Sequence, residues 1–440
     1  MHPQTIYSYF NNDIYFYSMQ PKPSINLKPL FALIAICVPV IPLLQAQEAS
    51  PPAADGQIES APEAKQQASK AGYPTFSWDR VPLAFHFGRM HAIMTDEEIN
   101  YVADRGSLIT FTKAHACRPM GSTEKGVAHE VKRLKALNPD LKVLIYWNIF
   151  IKYDFFDAVK DVQPEWLLRN RAGQALKKFE RRELFDILNP DFLEWWPAKA
   201  KQIIDQNDCD GIFVDAVQQP KAWYVRSKYG HPVDNRGLIS RIEKTVKKLM
   251  TDAQKNMGPE SLLIYNGINS TATSPARGKE YLPHSDGAIF DFFTVLVSEA
   301  PDAIAHDIAA IQDAGEQGKI CVVKAWPSSE LYFRNKEAMQ RPIAELIQEA
   351  KDHITFPLAC YLVAAGPYSY FCYSWGFTER EELPNLGSFV RYPELDKSLG
   401  KPKGPANKVG YVYTRDFEHA SVRVDVQARQ ASIEWKGKNK

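Results

Sequence analysis

Two aspartates stand out for what surrounds them. Asp215 closes the run Gly211-Ile212-Phe213-Val214. Asp291 interrupts an apolar run, with Ala288-Ile289-Phe290 before it and Phe292-Phe293 after. A carboxylate in such company is unexpected unless it faces an open site or is fully hydrogen-bonded. Two carboxylates are the minimum set for hydrolysing a glycosidic bond, one as proton donor and the other as base or nucleophile. Desolvation would raise the pKa of Asp291 and suit it to the acid role. Glu299, just downstream, is a substitute acid, and Glu330 a weaker third choice. The plain alternatives are that Asp215 caps the turn after it and that Asp291 is a satisfied half-buried carboxylate. Asp210, ahead of Asp215, reads as a loop hydrogen-bonder at the opposite face.

Short apolar runs alternate with amphipathic stretches from about 75 to 375. The strand runs are 81–87, 107–112, 141–148, 210–216, 261–266, 287–293, 319–326 and 368–374. Thr95-Asp96-Glu97-Glu98 opens a helix with a capping box. Further helices are expected at 123–137, 238–250 and 340–364, and Ile304, Ile308 and Ile311 stripe another. Asn189-Pro190 places a cap and a proline at a helix start, and Pro197 should kink or break that helix. A polar insertion occupies 149–188. Eight strands separated by helical segments predict an α/β fold, a (β/α)8 TIM barrel over 74–380. A doubly wound sheet is the rival, but the chain has no G-x-G phosphate loop, Walker sequence or G-x-S-x-G elbow. Residues 381–440 predict a small antiparallel β appendage, with strands at 411–415, 421–426 and 431–435, too small to stand alone.

Barrel enzymes carry their chemistry at the C-terminal ends of the strands. Besides the two aspartates, those ends supply His86, Lys113, His115, Trp147, Asn148, Asn266, Lys324, Trp326 and Trp375 as candidate substrate-binding residues. Amides and cations hydrogen-bond hydroxyls, and aromatic rings stack on sugar faces. Taken singly, each of these is as readily a salt-bridge, loop or core residue. Tyr146 and Trp147 are neighbours on one strand and face opposite sides, so at most one lines the cleft. No H-E-x-x-H, H-x-H or C-x-x-C spacing is present, so neither metal nor cofactor is expected.

The chain has 440 residues, 45% of them apolar and 12% aromatic, with 53 Lys and Arg against 52 Asp and Glu. That excludes a disordered tail protein and gives no electrostatic footprint for nucleic acid. Residues 30–44 form a fifteen-residue apolar run with Pro39 and Pro42, too short for a membrane span and laid out like a secretory signal. A signal peptide over 1–46 is expected, cleaved after Ala46, with an uncleaved anchor as the alternative. A start at Met19 would give a more ordinary n-region. Residues 47–73 read as a flexible linker. The mature chain is expected to be secreted or periplasmic, monomeric and without a membrane span. Its five remaining cysteines read as mostly buried thiols.

The segments FDILNPDFLEWW (185–196) and CDGIFVDAV (209–217) resemble hypothetical bacterial glycoside hydrolase-like barrels, near the polygalactosaminidase-like and α-amylase-like barrels. So do YNGIN to SDGAIFDFF (265–293), YFCYSWG (370–376), Tyr392-Pro393-Glu394-Leu395, LGKPKGPA (399–406) and YTRDFEHASVRVDV (413–426). The resemblance covers roughly 80–440 and is most specific around the fourth and eighth strands. It implies a barrel glycoside hydrolase acting on a poly- or oligosaccharide, with Asp215 as a catalytic carboxylate. Relatives favour Glu where this chain has Asp291. Related barrels often take their acid from a Glu after the fifth strand, where this chain has Tyr265-Asn266-Gly267. A catalytically inactive, carbohydrate-binding barrel is therefore the second reading, and a metal-dependent hydrolase the third.

Overall fold

Apolar runs that are hydrophobic on both faces suit strands covered by helices on the outside and by one another within. Eight such runs form parallel strands: β1 (Leu83–Arg89), β2 (Gly106–Phe111), β3 (Lys142–Asn148), β4 (Gly211–Asp215), β5 (Leu262–Thr271), β6 (Gly287–Phe293), β7 (Ile320–Ala325) and β8 (Ser369–Tyr373). Each pairs with the next, and β8 returns to β1, so the sheet closes into a (β/α)8 barrel. The seams differ. β7 and β8 share five register pairs, whereas β8 and β1 share only Phe371 with Leu83.

The computed structural model describes residues 8–10, 13–15, 70–178, 181–229 and 235–437. The chain divides into two units, Met1–Ala68 and Ser69–Lys440. In the first, Ser8–Phe10 pairs antiparallel with Asp13–Tyr15. The rest of the expected signal segment, and the expected linker as far as residue 69, lie outside the described residues. Lys70 and Tyr73 are held to the residue before β6. Lys70 Nζ donates to Asp286 Oδ1 at 2.9 Å, and the Tyr73 hydroxyl donates to the Asp286 carbonyl at 2.9 Å. Tyr73 also meets the Tyr368 ring edge-on; an aromatic ring is what the polar stretch before it lacks.

Helices α1 (Asp96–Arg105), α2 (Thr123–Leu137), α3 (Pro190–Asn207), α4 (Arg236–Met257), α5 (Pro301–Glu316), α6 (Ile343–His353) and α7 (Thr355–Ala364) fill the connections. The Thr95 capping box forms, and Asn189 caps α3 by accepting from Asp191 and Phe192. Pro197 does not end α3, which continues ten residues to Asn207. The stretch 340–364 is two helices, broken near Ile354. Between β5 and β6 the connection is a strand, Ser274–Arg277, folded back on β5, followed by a 3-10 turn over Lys279–His284. Among the described residues no helix is long and apolar enough to cross a membrane.

Two strands repeat one pattern, Asp210-Gly211-Ile212-Phe213-Val214-Asp215 and Asp286-Gly287-Ala288-Ile289-Phe290-Asp291. The first aspartate of each binds neighbouring strands. Asp210 Oδ2 accepts from Val143 N at 2.8 Å, and Leu262 N donates to the Asp210 carbonyl at 2.8 Å. Asp286 Oδ2 accepts from Leu263 N at 2.9 Å, and Ile320 N donates to the Asp286 carbonyl at 2.9 Å. The glycines permit this closeness. A Cβ on Gly211 would lie 2.0 Å from the Leu262 carbonyl oxygen, and one on Gly287 would lie 2.1 Å from that of Ile320. The second aspartate of each pattern ends up near the opposite rim.

After the barrel, β9 (Asn407–Val409), β10 (Val412–Asp416), β11 (Ala420–Asp425) and β12 (Gln430–Trp435) form an antiparallel sheet in chain order. β9 was not among the expected strands. Arg415 Nη1 donates to the Leu362 and Ala365 carbonyls at the end of α7. Arg429 donates to the Thr294 and Glu299 carbonyls after β6. The five described cysteines are free thiols.

Replacing Gly211 by Ala forces Cβ into backbone rather than into a movable side chain. Overpacking of this kind costs at least about 1–3 kcal/mol. Gly404, with nothing within 4 Å of its would-be Cβ, is the control. Thermal melts are expected to show a large loss for Gly211→Ala and little change for Gly404→Ala.

Candidate active site

Asp215 ends β4 and is buried, 3% exposed. Its charge is met from every side. Tyr146 of β3 donates its hydroxyl to Oδ2 at 2.6 Å, and Asn266 of β5 donates to Oδ1 at 3.0 Å. The Ala216 amide donates to Oδ1 at 2.8 Å. Lys113, two residues after β2, brings its ammonium to 3.9 Å from Oδ2 and over the Tyr146 and Tyr153 rings. Burial alone would raise the carboxyl pKa. The Lys113 charge and the Tyr146, Ala216 and Asn266 hydrogen bonds outweigh it and hold Asp215 below its usual value.

Asp291, on β6, is buried to the same degree but answered less fully. Oδ1 accepts from the Phe292 amide at 2.8 Å. Burial pushes this carboxyl up to about 6. The Asp215 charge acts in the same direction, and the Lys324 ammonium, the Phe292 amide and the Trp326 indole pull it partly back. The effect of Asp215 on Asp291 places the two carboxylates in one electrostatic neighbourhood.

Both aspartates share a backbone device. The residue after each is left-handed, Ala216 with φ 69° and Phe292 with φ 59°. For residues with a side chain this conformation costs about 1–3 kcal/mol. It accompanies an amide donated to the carboxylate of the preceding residue. Strain next to two buried carboxylates is an arrangement common at active sites.

Lys324 of β7 is fully buried and donates to the Ser374 carbonyl at 2.6 Å. Its ammonium lies 3.9 Å from the centre of the Trp326 ring. Burial lowers its pKa to about 8, opposed by Cys372 and Asp291. His86 of β1 packs on Phe213 and Phe377. Burial, with the Lys324 and Lys113 charges, lowers its pKa to about 3 against the pull of Asp215, so it is neutral. Asn148 donates to the Tyr146 hydroxyl and accepts from the Phe150 and Ile151 amides. Of the expected residues, the structure therefore gathers Asp215, Asp291, His86, Lys113, Asn148, Asn266, Lys324 and Trp326.

Four other expected residues lie apart from these groups. Trp147 lies on the other side of β3 from Tyr146, against Phe156, Trp195 and Trp196; strand alternation puts Tyr146 and Asn148 on the site side instead. His115 is fully buried, with Nδ1 accepting from Arg89 N and Nε2 3.3 Å from Glu130, so it braces the loop after β2. Trp375 is buried under the 376–392 segment, where Gly387 comes so close that a Cβ would meet the indole at 2.2 Å. Glu299 is exposed and receives the Ser329 hydroxyl at 3.0 Å, with neither aspartate among its hydrogen-bond partners. The polar atoms of Trp326 and Lys324 are walled by Phe292, Tyr332, Phe333 and Phe377 rather than open to solvent. Among the described residues no three His, Cys, Asp or Glu side chains group as metal ligands.

Residues 135–421 match the family described as Hypothetical glycosyl hydrolase family 15. The chain belongs to that family. A member of Hypothetical glycosyl hydrolase family 15 on a (β/α)8 barrel is a glycoside hydrolase, an enzyme that breaks glycosidic bonds. Similar solved structures include the glycoside hydrolase domain of PelA from Pseudomonas aeruginosa, at 12% identity and TM-score 0.42, covering 70% of this chain and 99% of that one. They include Ega3 from Aspergillus fumigatus in complex with galactosamine, at 9% identity and TM-score 0.38, covering 74% and 98%. A noncanonic maltogenic alpha-amylase, AmyB from Thermotoga neapolitana, aligns at 12% identity and TM-score 0.45, covering 78% and 86%. No curated protein matches the chain.

In this family 15 barrel, of the adjacent Tyr146 and Trp147, only one of which could line the cleft, Tyr146 is the one that reaches Asp215. The repeated Asp-Gly-x-x-x-Asp pattern at 210–215 and 286–291 carries both carboxylates.

The Asp291 environment carries a stability consequence. Its folded pKa lies above its unfolded value, so the folded state binds the extra proton between about pH 4 and 6. Stability is therefore lost as pH rises through that window. Asp291→Asn keeps an acceptor for the Phe292 amide and removes the charge. At pH 7.5 it is expected to melt higher than the parent, by about 1–3 kcal/mol in stability, and the gain should vanish by pH 4. A variant that melts lower at pH 7.5 contradicts the assignment.

Proposed function

We propose that Asp215 and Asp291 are the catalytic pair of a glycoside hydrolase that is exported and acts on a poly- or oligosaccharide. The observation that carries this is the opposite tuning of two buried carboxyls in one barrel. Asp215 is held ionised by Lys113, Tyr146, Asn266 and the Ala216 amide, while burial keeps Asp291 protonated up to about pH 6. Paired groups whose surroundings push their pKa values apart divide into base and acid. Asp215 is the nucleophile or base, and Asp291 protonates the leaving oxygen. Glu299, exposed and bound to Ser329, is not needed for that step. The apolar run at 30–44 supports export.

Reducing-sugar release across a polysaccharide panel, with Asp215→Asn and Asp291→Asn in parallel, tests the pair. Each substitution should lower kcat by at least about 10²–10⁴-fold with the fold intact. Full activity in Asp215→Asn sinks the reading. The parent rate should fall as pH rises above about 6, when Asp291 ionises, and at low pH only below the usual carboxylate range, where Asp215 takes a proton. A rate still climbing from pH 6 to 8 speaks against Asp291 as acid. Tyr146→Phe removes one donor to Asp215 and should move the acidic limb to higher pH while leaving the alkaline limb in place. Equal movement of both limbs would count against the division of roles.

A further inference from the structure

A recess of about 210 Å³ opens among the loops that follow β1, β2, β3 and β8. Its lining carries four arginines, Arg118, Arg181, Arg182 and Arg380, against two glutamates, with His91 beside them. The chain as a whole is almost neutral, so this excess is local.

The two glutamates of the lining are held by loose pairs. Arg118 pairs with Glu381 at 3.3 Å, and Arg380 with Glu382 at 3.8 Å, all four largely exposed. Exposed pairs of this kind contribute little, about 0–1 kcal/mol, and an entering anion can replace them. Guanidinium groups present forked donors that match carboxylate and sulfate oxygens.

The recess adjoins the groups that surround Asp215. The Arg182 guanidinium lies 4.8 Å from the centre of the Tyr153 ring. Tyr153 packs on Tyr146 and under the Lys113 ammonium, and both of those groups reach Asp215. One aromatic side chain thus separates the arginines from the groups around Asp215.

We propose that this recess is a subsite for an acidic sugar, so that the substrate is a glycan bearing carboxylate or sulfate groups. The proposal rests on the assignment of Asp215 to the catalytic centre, and it is tested by binding, which does not require turnover. The full chain with Asp215→Asn is titrated calorimetrically with polygalacturonate, chondroitin sulfate, dextran and chitosan. At least one of the acidic polymers should bind tenfold or more tighter than neutral dextran and cationic chitosan, and its affinity should fall as salt is raised. Polygalacturonate against chondroitin sulfate separates carboxylate from sulfate recognition. Arg181→Glu and Arg380→Glu, both at exposed positions, should each weaken acidic-glycan binding about tenfold without changing the melting temperature. Stronger binding of dextran or chitosan, no binding of either acidic polymer, or unchanged affinity in both charge reversals overturns the proposal. Acidic-glycan binding together with full turnover in Asp215→Asn would instead remove the catalytic assignment and leave the subsite standing.

Discussion

A carboxylate charge buried at the end of β4 must be balanced inside the protein, and the upper half of the barrel is organised by that requirement. Asp215 is buried. It receives a cation from beyond β2, a phenol from β3, an amide side chain from β5 and the backbone of its own turn. The donors come from four successive βα units, so the register of the barrel and the state of the charge are one problem. A slip of one residue in β3 would send Tyr146 outward and bring Trp147 in. The clamps of Asp210 and Asp286 at the far end hold that register.

Asp291 shows what happens when the same burial is answered with fewer donors. Oδ1 accepts from its own following amide, and the charge of Lys324 is itself weakened by burial. The outcome is a carboxyl that keeps its proton into the range where Asp215 has long lost its own. The protein carries this at a cost in stability once the carboxyl ionises. The left-handed residues after both aspartates add to that cost.

Much of this was legible in the residues. The alternation of apolar runs and amphipathic stretches gave all eight strands, because strands buried on both faces have no other pattern to show. Asp215 and Asp291 were legible because charge in such a run is conspicuous. Trp147, His115 and Trp375 stand at or after strand ends, but the face of a strand and the loops folded over it decide what a side chain at that place meets. The loop that braces His115 on Glu130 and the 376–392 segment that closes over Trp375 depend on contacts between residues far apart in the chain. The arginine recess was hidden likewise, since its lining runs from Met90 to Glu382 along the chain.

The single rung between β8 and β1 has a consequence for how the chain is made. β2 can pair with β1 as soon as it emerges, but the other edge of β1 waits until β8 has been synthesised. At about 5–20 residues per second that wait is on the order of tens of seconds. An open strand edge is an invitation to foreign strands. Here the edge begins at Pro82, whose carbonyl later accepts from Phe371 and whose nitrogen has no hydrogen to offer. A proline at the start of a waiting edge is one of the ways in which natural sheets discourage wrong partners. The seam with the fewest rungs in the finished barrel is therefore guarded where the nascent chain is most exposed.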